Sequence, residues 1–99
     1  MENAKLVALK LSAQRALRGR IYPQIRAIAV GLPKPNKLKV VLYVDREPTD
    51  LDYESVSDIT GEICADFPEI SEVEEPCIFT PAKINILDSL DFLAYSRKE

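Results

Sequence analysis

Residues 38–44 constrain this chain most. Leu38, Val40, Leu42 and Val44 alternate strictly with Lys39, Val41 and Tyr43. A period of two places the first set on one face of a strand, and that face must be buried against another apolar layer. The run Ile25-Arg26-Ala27-Ile28-Ala29-Val30 precedes it and is apolar and partly β-branched. Residues 25–31 and 37–45 therefore read as two strands. Between them lies Gly31-Leu32-Pro33-Lys34-Pro35-Asn36. Two prolines in six residues predict a hairpin loop rather than a continuous strand, and a loop this short joins antiparallel neighbours.

Amphipathic stretches flank the hairpin. Leu6, Leu9, Ala13, Ala16 and Leu17 recur at steps of three and four, which predicts a helix over 4–18. Gly19 suits the residue after its end, and Arg15 and Arg18 suit its negative C-terminal pole. A second helix is expected over 50–67, opened by Pro48-Thr49-Asp50 and closed by Pro68. Thr49 or Asp50 is its N-cap, and Asp52 stands three residues past Thr49, as in a capping box. Tyr53, Val56, Ile59, Ile63 and Phe67 form its core stripe. Gly61, inside this helix, costs about 1 kcal/mol relative to alanine, which the close approach of another backbone would explain. Further on, Cys77-Ile78-Phe79 belongs to a strand, 84–87 to a short segment of either type, and 91–96 to a terminal strand. The order is α-β-β-α-β-β. The fold class expected is α+β: one domain over 1–99, with both helices on one face of a mostly antiparallel sheet.

Composition narrows the chemistry. The 99 residues contain no histidine, which removes Ser-His-Asp and Cys-His catalysis and histidine-bearing zinc sites. No run of 18 apolar residues exists to span a membrane. Met1-Glu2-Asn3-Ala4-Lys5 lacks the basic-then-apolar pattern of a signal peptide, so a cytoplasmic location is expected. Cys64 and Cys77 then read as reduced, core-filling thiols, with a disulfide as the alternative. Phe67, Phe79 and Phe92 are expected in the core.

The net charge of −3 conceals a strong asymmetry. Residues 1–44 carry nine bases and one acid, a net of +8; residues 45–75 carry twelve acids and one base, a net of −11. Glu54, Asp58, Glu62 and Asp66 are spaced four apart and form one stripe on the second helix. Three like-charge i,i+4 pairs there cost on the order of 1 kcal/mol together. Asp50, Asp52 and Glu54 suit the helix's positive N-terminal pole and need no functional explanation. The stripe is a solvated helix face with chance clustering, or is neutralised by the basic half of the chain, or docks a cationic partner. Asp50-x-Asp52-x-Glu54 imitates the start of a calcium loop, but Ser55 and Gly61 stand where the loop needs glycine and a bidentate acid. No metal site and no cofactor is expected. The bases of the first half have only Tyr22 and Tyr43 among them, so they are read as structural or surface groups, and no nucleic acid or membrane partner is expected.

Four stretches carry a resemblance: Leu11-Ser12-Ala13-Gln14-Arg15-Ala16-Leu17-Arg18-Gly19, Pro23-Gln24-Ile25-Arg26-Ala27, Ala65-Asp66-Phe67-Pro68 and Tyr95-Ser96-Arg97-Lys98-Glu99. The chain resembles a group of small bacterial proteins, some of them similar to immunity proteins of contact-dependent growth inhibition systems. That resemblance implies a non-enzymatic protein that blocks a toxin domain. It carries no catalytic motif and no toxin-contact motif.

Charge and resemblance together lead to one expectation. The chain is a non-enzymatic binding protein, and its acidic helix covers a basic toxin such as a nuclease. The contacts expected are Asp50, Glu54, Asp58, Glu62, Asp66 and Glu69, with Asp52 and Tyr53 behind them. Tyr53 fits both the core stripe and an interface rim. The alternative is a self-associating structural or adaptor protein, a homodimer pairing the +8 segment of one copy with the −11 segment of another. A carboxylate enzyme is the third reading.

Overall fold

The computed structural model describes residues 2–99. Its elements are α1 (Asn3–Ala16), β1 (Ile25–Lys34), β2 (Lys37–Val44), α2 (Asp50–Asp66), β3 (Glu72–Glu74), β4 (Cys77–Phe79), a 3-10 turn (Ile84–Ile86) and β5 (Phe92–Ser96). The alternating stretch is β2, paired antiparallel with β1 in a register that sets Val40 beside Val30 and Val44 beside Ile25. The expected six-residue loop is shorter than predicted. β1 runs through Pro33 to Lys34, leaving Pro35-Asn36 as the turn. A register slip between Gly31 and Lys34 accommodates the proline, which has no N–H for the ladder. The neighbouring Leu32 N–H donates instead to Asp91 Oδ2 at 2.8 Å.

The five-stranded sheet is mixed. β1 lies between β2 and β5, antiparallel to both, while β3 and β4 lie end to end along the other side of β2, parallel to it. Parallel neighbours need a crossover, and α2 supplies it. Both helices pack on one face, as expected. Leu9, Ala13 and Ala16 of α1 and Val56, Ile59 and Ile63 of α2 are fully buried against Ile28, Val30, Leu42 and Val44. The other face has a cover of its own. Leu87, Leu90 and Leu93 close over Ala27, Ala29, Val41 and Tyr43, and the Tyr43 hydroxyl donates to the Asp88 carbonyl at 2.9 Å. That explains why Val41 and Tyr43 are apolar on the strand's second face.

Glycine is required where this cover meets the sheet. A Cβ on Gly31 would stand 2.9 Å from Leu90 Cβ. Gly19 takes φ +71°, just past the end of α1, as its position predicted. Gly61 has no such reason: nothing lies within 4 Å of where its Cβ would be, so the expected close approach is absent. Two aromatic assignments also change. Phe67 is buried and Phe92 half-buried, but Phe79 is 45% exposed because β4 lies at the margin of the sheet. Tyr53 is 50% exposed and lies outside the core stripe. Cys64 and Cys77 are free thiols packed against the main core, and burial pushes the Cys77 thiol up to about 11.

Candidate functional site

α2 is anchored at its start by one acid. Asp52 accepts the Thr49 N–H at 2.8 Å and is also bonded by the Tyr22 hydroxyl and the Arg46 guanidinium. It is fully buried. Burial alone would raise its pKa, but the bonds from Arg46, Tyr22 and Thr49 outweigh it and hold the carboxyl below its ordinary range. Tyr22 is pushed up to about 12, by burial first and then by the facing carboxylate. Asp52 is thus a structural group that lies behind the exposed acids and anchors the helix that carries them. The Thr49-x-x-Asp52 spacing contained the reason, since a capping acid folds back onto its own helix start.

The acidic stripe divides in two. At the C-terminal end of α2, Asp66 accepts from Ser12 Oγ at 2.7 Å and from Arg15 at 2.6 Å, and these bonds, Ser12's first, lower its pKa. Glu62 lies 3.6 Å from Arg20. Here the basic half of the chain does neutralise the helix, and the like-charge crowding is relieved within the molecule. Asp66 is therefore part of the α1–α2 seam, and Glu62 pairs with the turn that follows α1. At the N-terminal end the picture reverses: Asp50, Glu54 and Asp58 are exposed and make no ion pair among the described residues. Glu69, past the helix end, is exposed and also without an ion pair among the described residues.

At about 100° per residue, Asp50, Glu54 and Asp58 cover an arc of roughly 80° on the solvent side of α2. Tyr53 borders that arc on one side and Leu51 on the other, 50% and 55% exposed. Leu51 was absent from the sequence prediction. Its signal was its position outside the 52-56-59-63 core face, which left a large aliphatic group nowhere to go but outward. Acids flanked by an aromatic and an aliphatic side chain suit a protein partner: the acids steer, and the apolar groups supply area.

Two further groups of charges are engaged within the fold. Arg26, only 6% exposed, donates to both oxygens of Glu99 at 2.8 and 2.6 Å and to the Thr80 carbonyl at 2.7 Å. Arg26 and then Arg97 hold the Glu99 carboxyl down to about 2. Lys37 and Lys39 converge on Glu74 at 3.0 and 3.1 Å. Among the described residues no group of three or more Cys, Asp or Glu is placed to hold a metal ion. No helix of the described residues is long and apolar enough to cross a membrane.

The sequence model of the MafI2 immunity protein family matches residues 7–99. The chain belongs to this family. Membership gives the protein a cognate toxin as its partner, the general role of an immunity protein. Among solved structures, the copper form of MamM CTD is similar, with a TM-score of 0.53 at 15% identity over 91% of this chain and 84% of that one. A zinc form of an aspartate-to-asparagine variant of MamM CTD gives 0.51 at 13% identity over 81% and 91%. Identity this low carries the fold and nothing of the metals bound there. Comparison with curated proteins gives no match.

Proposed function

We propose that this MafI2-family chain is a non-enzymatic inhibitor of a toxin exchanged between contacting bacterial cells. It covers a cationic surface of that toxin with the N-terminal half of α2. The observation that carries this reading is the divided stripe. The chain's own bases neutralise Glu62 and Asp66, while Asp50, Glu54 and Asp58 stay exposed without ion pairs among the described residues, beside Tyr53 and Leu51. The positive N-terminal pole of α2 favours Asp50 and Glu54 where they stand, and with Asp58 they leave one open arc of negative charge that an outside cation fits. A nuclease, whose cleft must bind phosphate, fits that requirement. Inhibition then needs only that the cleft be filled.

The test is charge reversal. Asp50→Lys, Glu54→Lys and Asp58→Lys together should weaken binding of the cognate toxin about 100-fold or more and abolish protection of cells expressing it. Wild-type affinity should fall steeply between 50 and 500 mM salt. Glu62→Lys with Asp66→Lys, at the internally paired end, should lower thermal stability instead. Unchanged affinity in the triple variant with an intact fold would overturn the proposal.

A further inference from the structure

The two margins of the sheet differ. At β5, Gln14 Nε2 of α1 donates to the Ala94 carbonyl at 2.9 Å, so a side chain already occupies backbone at that margin. At the other margin, β3 and β4 pair with β2 alone among the described residues, and no side chain bonds to the backbone of residues 72–79. The two three-residue strands, separated by Glu75 and by Pro76, which has no N–H, therefore present unpaired main-chain groups to solvent. Val73 and Phe79 are exposed on the face shared with Leu38 and Val44, and Ile78 is exposed on the face shared with Tyr43. An open edge with apolar side chains on both faces is the geometry of strand addition.

Charge selects the occupant. Lys37 and Lys39, on the neighbouring strand, are both taken by Glu74, while Glu72 and Glu75 make no ion pair among the described residues. Two such edges repel each other, which disfavours a second copy of this chain. We propose that the β3–β4 edge accepts an extended segment of the cognate toxin as an added strand, one that alternates lysine or arginine with apolar residues. This rests on the reading that the toxin's docking surface is cationic, and it extends that surface from the outer arc of α2 down to the sheet that α2 covers.

A seven-residue peptide alternating lysine and valine, titrated into the isotope-labelled full chain, tests the edge without the toxin. Amide resonances of 72–79 should shift, and those amides should exchange more slowly. N-methylation of alternate peptide amides keeps the charge but removes half of the backbone donors, and it should weaken binding at least tenfold for the isomer that blocks the edge-facing amides. Glu72→Lys with Glu75→Lys should weaken it by about tenfold. Asp50→Lys, Glu54→Lys and Asp58→Lys should leave peptide binding at 150 mM salt within about threefold, so failure of the edge and failure of the α2 surface give different results. The proposal is overturned by equal binding of both N-methylated isomers, by shifts confined to α2, by equal binding of a glutamate–valine peptide, or by no binding.

Discussion

Replacing Asp52 by alanine removes the one acid that faces inward from the acidic block. The bonds from three residues disappear: those of the Thr49 N–H at 2.8 Å and the Thr49 hydroxyl, the charge-assisted pair from Arg46 and the one from the Tyr22 hydroxyl. Loss of a cap costs about 1 kcal/mol. Hydrogen bonds to a charged group cost about 1.5–3 kcal/mol each, but Arg46 reaches water once freed, so the terms do not add in full. A net loss of about 3 kcal/mol is expected, against a full range of about 3–5 kcal/mol for breaking a buried pair. At roughly 0.2 kcal/mol per degree for a chain of this size, Tm should fall by about 15 °C. Urea unfolding followed by circular dichroism at pH 7 measures the difference. The sign with pH is fixed by the direction of the shift. Asp52 titrates lower in the fold than its ordinary value. Its contribution is therefore fully present above about pH 4 and is lost as pH falls through the folded pKa. The gap between wild type and Asp52→Ala should narrow on acidification below pH 4. A gap under 1 kcal/mol at pH 7, or one that widens in acid, would refute the anchoring role.

Other outcomes follow from the same geometry. Gly61→Ala fills open space on a helix interior and should stabilise by about 1 kcal/mol, near 5 °C in Tm, with loss of stability as the contrary result. Tyr22 titrates at about 12 in the fold against an ordinary value of 10, so its contribution is complete below pH 10 and is lost as pH rises through 12. Alkaline unfolding between those limits should be weaker in Tyr22→Phe, and an unchanged pH profile would contradict the burial of its hydroxyl against Asp52.

How much the sequence reveals depends on how much periodic signal each element carries. β2 and the Val56-Ile59-Ile63 face of α2 are long and strongly patterned, so their positions and burial were legible. β3 and β4 are three residues each. Such short strands present one or two inward side chains, too few to define a period, and their parallel pairing to β2 depends on the α2 crossover rather than on local residues. Pro33 misled because a register slip can absorb a missing N–H. Of the candidate site, the spacing of the acids was legible. The i,i+4 stripe was plain, but its division was not, because the Arg15–Asp66 contact joins residues 51 apart and no local rule links them. Asp52 was readable twice over, as an acid and as a cap, and the cap reading is the one the fold uses.

Because α2 is the span that ties β2 to β3, both of its ends are fixed by strand pairing. Adding or deleting a residue within it would rotate the outward arc by about 100° and strand the Ile59 and Ile63 side chains in water. On the proposed α2 surface, recognition of a different toxin would therefore change by exchange of outward side chains, at constant helix length. Related chains that protect against different toxins should diverge at 50, 51, 53, 54 and 58 while keeping the same spacing between their second and third strands.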